Sequence, residues 1–490
     1  MKKNRILTDS LALAAVKIMT MMVSIVSTMI LSRMLDLTSY GTYSTGNLII
    51  NTSTSLAALG LLDAVNYYYN SKKDLRESYI NTVFAIVVFN GLVIAFAITV
   101  FGKAIQNYFH NNLLSTIYIY IMFRPLLANI GLGFQNLQVS IGKAKVVAIR
   151  NAFISFAKLF SVIITAFLTK NIQTIFAIML FVETISLVFY YKVLKQNKIV
   201  IKPYKLNIHL LKEILIYCIP MGIYIQTNSL SRDLDKYVIG FYESTDKLAI
   251  YANAATKLPF DVISGTLLTV LIPILTRCIA KNDLENSVKL FRANIKIGYT
   301  VTFVIGTTVL ALAEPAVLFL YGKKYLAGKT IFMLYVLVDM MNFISFSIVL
   351  GAKGKTKILM MVSSIGLVIN LVINYSFYNL FGYTGPAIAT VLMTFALNFT
   401  LLFMSSSVLK TSILHMFDWK HLFTVICEMV VLGIFINKIS IILKDYGINY
   451  FWILVILGSI SVLIGVVLNL REIKHSLNEL EGVTEKARDM

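Results

Sequence analysis

Six cations and a knot of carboxylates stand inside runs that are otherwise apolar, and they are the side chains of this chain with the most chemistry to offer. Arg232-Asp233-Leu234-Asp235-Lys236 is the densest group; Lys257 and Asp261 follow four residues apart, and Lys17, Arg124 and Lys158 have no acid three or four residues away. Spacing alone allows Arg232 to pair with Asp235, Asp233 with Lys236 and Lys257 with Asp261, each on one helical face. For Arg124, Lys158 and Lys17 the charge must be met by tertiary contact, with Glu183 and Asp63 as available partners. Lys or Arg facing lipid at mid-membrane costs ~2.5–3.5 kcal/mol even by the cheapest scale, so these groups face water, a partner or a ligand. A set of cations lining a polar chamber attracts anions: Arg offers parallel donors to phosphate oxygens and Lys a point charge.

Other chemistries find less support. Asp233-Leu234-Asp235 has the DxD form of metal-dependent sugar transferases, but it lies in an apolar run between Arg232 and Lys236 rather than at an accessible surface. His110, His209, His415, His421 and His475 make no HExxH or Cys/His pattern, no P-loop is present, and Cys218, Cys278 and Cys427 are isolated residues suited to packing. No metal, cofactor or catalytic residue is expected, and the chain does not read as an enzyme. Asp339 and Glu428, alone in apolar runs, suit a proton or sodium site as well as they suit helix-to-helix pairing.

The elements that position these groups are membrane helices. Leu11 to Ser32 already matches the ~20 apolar residues that cross a core ~30 Å thick. Such runs recur about fourteen times to Leu470, and the chain is 58% hydrophobic and 14% charged. Nothing alternates in the manner of barrel strands, so an all-α polytopic membrane protein is expected. The spans fall near Leu11–Ser32, Tyr40–Asp63, Ser78–Phe101, Asn112–Ile141, Val146–Leu168, Ile172–Tyr191, Glu213–Phe241 and Leu248–Thr276, then near Ile297–Tyr321, Ile331–Gly351, Ile358–Leu380, Thr384–Val408, Leu422–Leu443 and Asn449–Leu470. The first is too long for a removable signal peptide and lacks its cleavage site.

Lys and Arg are dealt unevenly between the two faces. One face carries clusters such as Lys2-Lys3, Lys72-Lys73, Lys192 to Lys212 and Lys353 to Lys357, whereas the other carries only Arg33, Lys103, Lys170, Lys247, Lys323, Lys324, Lys329, Lys438 and Lys444. The positive-inside rule puts both termini in the cytoplasm. The net charge of +20 is therefore mostly a topology signal; it forms no basic domain, and nucleic acid is not expected as a partner.

Lys192 to Lys212 divides six spans from eight, and the two sides look related. Gly142-Lys143-Ala144-Lys145 and Gly354-Lys355-Thr356-Lys357 open equivalent helix pairs, and Tyr43 and Tyr251 take equivalent places. The expected organisation is an N-terminal lobe over 1–191, a cytoplasmic linker over 192–212, a C-terminal lobe over 213–408, two added spans over 409–470 and a cytoplasmic tail over 471–490, which reads as a solvated end. The lobes are pseudo-symmetric six-helix bundles. Polar groups within spans, among them Asn47, Asn51, Ser53, Asn129, Gln135, Asn136, Gln138, Asn370, Asn374 and Asn398, suit either sugar hydrogen bonds or helix association. Pro125, Pro220, Pro259 and Pro273 each remove a backbone hydrogen bond and bend a span.

Order and spacing of several loose motifs resemble the polysaccharide (Wzx-type) flippases of the multidrug/oligosaccharidyl-lipid/polysaccharide exporter superfamily. Ser32-Arg33-Met34-Leu35 with Tyr40-Gly41-Thr42-Tyr43 is similar to their first outer loop. Asp235-Lys236-Tyr237-Val238-Ile239-Gly240 and Tyr251-Ala252-Asn253-Ala254 resemble the seventh span and the entry to the eighth. Asn370-Leu371-Val372-Ile373-Asn374 and Phe381-Gly382-Tyr383-Thr384-Gly385-Pro386-Ala387 resemble the eleventh and twelfth. The resemblance implies an inverted-V fold in a bacterial cytoplasmic membrane and alternating access driven by an ion gradient. Its implied cargo is an undecaprenyl-pyrophosphate-linked oligosaccharide, carried to the outer leaflet for cell-surface polysaccharide synthesis, with membrane lipids, a polysaccharide polymerase and transferases as partners. Lys17, Arg124, Lys158, Arg232, Lys236 and Lys257 are the expected substrate-binding residues. Asp63, Glu183, Asp233, Asp235, Asp261 and Asp339 are the expected charge partners or ion-coupling groups. Within transport the alternatives are a multidrug or cation antiporter of the same superfamily, which needs an acid-dominated chamber, and a less specific lipid scramblase. A glycan polymerase or ligase needs a large outer loop, and every outer loop here is short.

Overall fold

Runs of twenty or more apolar residues leave the backbone no partner but itself, and the chain answers with helices throughout. The computed structural model describes residues 2–72, 74–260, 271–272 and 274–489, and no strand occurs among them. Side chains of 2–15, 17, 18, 221, 481 and 483–489 lie outside that description. Among the described residues, ten stretches are long and apolar enough to cross a membrane, and two of these, Leu37–Ser71 and Thr356–Leu409, each contain two α-helices. The all-α membrane fold expected from sequence is what forms.

Contacts divide the chain into two compact units, Met1–Ala252 with Ser363–Leu371, and Asn253–Val362 with Val372–Met490. The first unit contains α1 (Lys2–Met34), α2 (Leu37–Ala58), α3 (Leu61–Ser71), α4 (Arg76–Tyr108), α5 (Tyr118–Ser140), α6 (Ala144–Thr169), α7 (Ile172–Gln196), α8 (Ile208–Tyr242) and α9 (Thr245–Ala254). Asx caps set the helix starts: Asp36 accepts from the Ser39 N–H at 2.9 Å, Asn171 from Gln173 at 2.8 Å and Asn207 from His209 at 3.0 Å. A buried cluster of Tyr68, Tyr79, Phe84, Phe134, Tyr190 and Cys218 holds α3, α4, α5, α7 and α8 together.

The expected second span is not one helix. Leu59 and Gly60 both take positive φ, 41° and 74°, and separate α2 from α3. Gly222 of α8 packs on this break so closely that a Cβ there would stand 2.6 Å from the Leu59 carbonyl carbon. Glycine at 60 supplies the left-handed turn, and glycine at 222 lets the helix approach it.

In the second unit run α10 (Leu284–Ala311), α11 (Ala313–Leu320), α12 (Lys329–Met341), α13 (Ile348–Ala352), most of α14 (Thr356–Phe381), α15 (Gly385–Leu409), α16 (Ile413–Met416), α17 (Trp419–Asp445) and α18 (Tyr450–Asp489). Phe291, Tyr299, Phe343, Phe346, Leu402 and Val425 form its main core.

Two further expectations change here. The run from Leu248 to Thr276 does not continue as a helix from α9, because residues 255–260 are non-helical. Pro259 has no N–H and disfavours a helical Leu258 before it. The Leu258 N–H freed by this break donates to Asp339 Oδ2 at 2.7 Å. Lys257 is thus not on a helical face, the premise of its i,i+4 pairing with Asp261 fails, and Asp261 itself lies outside the described residues, as does Pro273. The tail beyond Leu470 is also more than a solvated end: α18 continues through it, with Ser476 0% and Leu480 6% exposed, the latter against Cys278, Leu290 and Ile297.

Candidate functional site

Three spans of the first unit bring the cations of Arg124 and Lys158 onto one acid. Arg124 on α5 donates from Nε to Glu183 Oε2 on α7 at 3.0 Å, and Lys158 Nζ on α6 stands 3.5 Å from Glu183 Oε1. The side chains are 13%, 29% and 14% exposed for Arg124, Lys158 and Glu183, so the charges meet largely out of bulk solvent. One carboxylate set against two cations leaves the cluster with a net positive charge. Of the two tertiary partners open to sequence, Glu183 takes both cations, while Asp63 stands half-buried in the first turn of α3.

The guanidinium has a second bond. Its Nη1 donates to Asn47 Oδ1 on α2 at 3.0 Å, and Asn47 Nδ2 in turn donates to the Tyr43 carbonyl at 3.0 Å. Asn47 also lines a cavity of about 140 Å³ whose wall mixes Ser44, Thr45, Asn51, Asp233 and Lys236 with the apolar Leu48, Leu248 and Ala252. Lys236 is paired with Asp233 at 2.6 Å, the i,i+3 contact expected from spacing. The cavity therefore carries a charge-balanced pair in its wall and is joined through Asn47 to the positive cluster. Hydroxyl and amide groups with a neutralised ion pair can hydrogen-bond sugar hydroxyls; the cluster behind them can hold an anion.

Other expected residues have settings of their own. Arg232 is exposed and does not pair with Asp235, whose carboxylate is 1% exposed with neither oxygen hydrogen-bonded. Asp233 and Asp235 are two residues apart on α8, hence roughly 200° apart around it, and cannot converge on one metal ion. Lys257 is exposed, Asp339 caps the Leu258 N–H, and Lys17 lies on α1 with its side chain outside the description. Several in-span amides bind helix to helix: Asn129 donates to Thr54 O, Asn136 to Leu62 O, Gln138 to Tyr190 O and Asn370 to Ser231.

Sequence reasoning missed a buried cation in the second unit. Lys296, assigned by sequence to the cytoplasmic face, is 8% exposed and paired with Asp418 at 2.8 Å and Glu472 at 2.6 Å. Its partners are far along the chain, so no local spacing signals it.

Known proteins bear on both fold and family. The chain is similar to a structure described as the lipid II flippase MurJ in an inward closed conformation, with 16% identity over 93% of this chain and 99% of that one, at a TM-score of 0.68. An inward-facing multidrug resistance MATE family transporter of the MOP superfamily aligns at 13% identity, 82% and 99% coverage and TM-score 0.62. A MOP superfamily transporter from Pyrococcus furiosus, described as having a binding pocket of reverse polarity, aligns at 11% identity, 84% and 97% coverage and TM-score 0.55. No curated protein matches the chain. The likenesses give it the MOP fold. Residues 30–329 match the profile of the polysaccharide biosynthesis proteins, and with that match over more than half its length the chain belongs to the polysaccharide biosynthesis protein family.

Proposed function

We propose that this protein is a flippase that moves a polyprenyl-pyrophosphate-linked oligosaccharide, with undecaprenol as the lipid, from the cytoplasmic to the outer leaflet of a bacterial cytoplasmic membrane by alternating access, with both termini in the cytoplasm. The observation that carries the reading is the convergence of Arg124 and Lys158 on Glu183, a net positive site within the membrane-spanning part of the first unit. A pyrophosphate diester has one charge on each phosphate and suits a guanidinium and an ammonium held side by side. A sugar unit next to the head would meet the neighbouring cavity, where Ser44, Asn47 and Asn51 offer uncharged hydrogen-bonding groups. Family membership agrees with a role in polysaccharide synthesis. The protein binds and carries its cargo and makes or breaks no covalent bond.

A cationic drug finds the wrong sign at this site, which separates the reading from that of a multidrug antiporter. Reconstituted into proteoliposomes, the wild type is expected to translocate a fluorescent polyprenyl-pyrophosphate oligosaccharide, and Arg124→Gln with Lys158→Gln to abolish translocation while folding is retained. Extrusion of a cationic dye with no movement of the glycolipid would overturn the proposal in favour of the drug exporter. Equal movement of uncharged lipids would overturn it in favour of a scramblase.

A further inference from the structure

Glu183 places a carboxylate where a phosphate would go. Its two oxygens are divided between a guanidinium and an ammonium, Oε2 to Arg124 Nε and Oε1 to Lys158 Nζ. Two oxygens of one anion shared between two cations is also the way in which a phosphate group is held. Building on the function proposed above, we propose that Glu183 is an exchangeable counter-ion. It occupies the Arg124–Lys158 clamp while the site is empty, yields the clamp to the pyrophosphate head, and takes up one proton as it does so.

The two halves of the clamp differ in grip. Arg124 is held at 3.0 Å and bonded a second time to Asn47, so it stays in place when the carboxylate leaves. Lys158 stands at 3.5 Å and is the more exposed partner, so the incoming anion meets the loosely held ammonium first. Lys also has a flexible stem and a compact charge able to turn from one acceptor to another.

Charge balance supplies the proton. With Glu183 ionised, a pyrophosphate diester in the clamp would set three negative charges against two positive ones within a few ångströms and largely out of water. Like charges that close favour the protonated form of one of them. Uptake of one proton by a Glu183 carboxylate oxygen, from water in the cavity, makes the count two against two. Two ion pairs to Glu183 break and two to the head form. Among the described residues, the ionised groups that meet Glu183 from the elements packed on α7 are Arg124 on α5 and Lys158 on α6. Tyr43 on α2 lies near Arg124 and contributes a neutral hydroxyl, and the turn over Asn112–Ile117 has no titratable side chain.

The test is calorimetric binding of a short-chain polyprenyl-pyrophosphate-linked N-acetylhexosamine, a sugar with no titratable amine, to the full chain in nanodiscs, in two buffers of different ionisation heat at one near-neutral pH. Neither phosphate of this probe titrates near neutrality, so protons taken up belong to the protein. Wild type should take up about one proton per probe. Glu183→Gln should take up none and bind about tenfold or more tightly, since its clamp has no internal competitor. Glu183→Asp, with a shorter but ionised side chain, should keep the uptake. Absence of uptake in the wild type, or weaker or unchanged binding by Glu183→Gln, would overturn the exchange; the wild-type count needs no variant to fold. If the probe binds and Arg124→Gln weakens it while neither Glu183 effect is seen, the exchange fails and the flippase reading stands. Probe that does not bind at all sinks both. Inorganic pyrophosphate is run in parallel: Glu183-dependent uptake confined to the lipid-linked probe supports a lipid head as the cargo, whereas the same uptake with inorganic pyrophosphate would overturn that restriction.

Discussion

Replacing Arg124 by Lys and by Gln separates the charge of the site from its shape. Arg124 uses two different nitrogens toward two different helices, Nε to Glu183 on α7 and Nη1 to Asn47 on α2, both at 3.0 Å. A lysine has one nitrogen and keeps the charge, but it cannot reproduce a fork that spans two helices. Each hydrogen bond to a charged group contributes about 1.5–3 kcal/mol, so Arg124→Lys should lose one such interaction and Arg124→Gln the cation as well. If the head replaces Glu183 on the same nitrogens, binding should weaken by roughly 10- to 150-fold for Lys, and by more for Gln, at about 1.4 kcal/mol per tenfold. The readout is the Kd for the short-chain pyrophosphate-linked probe in nanodiscs, with melting temperature as a control for folding. Equal affinity in Arg124→Lys and wild type would show that the fork is not used. Equal affinity in Arg124→Gln would refute the placement of the anion at this arginine altogether.

Other consequences are open to measurement. Gly222→Ala, and more so Gly222→Val, should destabilise the first unit by about 1–3 kcal/mol, because the added carbon meets backbone of Leu59 that cannot turn aside; an unchanged melting temperature for the alanine variant would contradict the close crossing. Asp339→Asn keeps an oxygen for the Leu258 N–H and should transport normally, whereas Asp339→Ala should lower stability by about 1–3 kcal/mol; loss of transport by the Asn variant, fully folded, would point instead to a role for the charge. Burial pushes the Asp418 carboxyl up, but the Lys296 ammonium and the His421 N–H outweigh it and hold it below the usual 3.8. Its contribution is therefore fully present above about pH 4 and is lost as pH falls toward the lower folded value, so wild type should show an acid fall in melting temperature on this account that Asp418→Asn lacks.

Much of this was legible in the sequence because lipid imposes a severe rule. Apolar runs of span length had to be helices, and cations inside them had to find partners, which put Arg124, Lys158 and Glu183 together on the short list before any geometry. Rotation about each helix axis was not legible, and it decides the rest. Asp235 turns into the protein and Arg232 away from it, although their spacing permitted a pair. The break at Pro259 had a visible signal in the proline itself. The one at Leu59 had only a single glycine beside a leucine, and the left-handed φ of Leu59 follows from the crossing with Gly222 in tertiary structure. Asn47 stood among many polar residues of similar promise. Only its placement between the Arg124 guanidinium and the cavity distinguishes it from Asn129 or Asn136, which fasten helices.

Lys296 gives the two C-terminal helices a history. Its ammonium, on α10, has its acids at the start of α17 and late in α18, and with them it is buried. A lineage that lost those helices would expose a lysine set into an apolar wall with no counter-charge, and would need to replace the lysine in the same step. Loss of the acids alone would leave this ammonium, only 11% exposed at its side chain, without its counter-charges. The helices are in this sense ratcheted in place: an addition that began as dispensable would become one the rest of the unit could no longer discard.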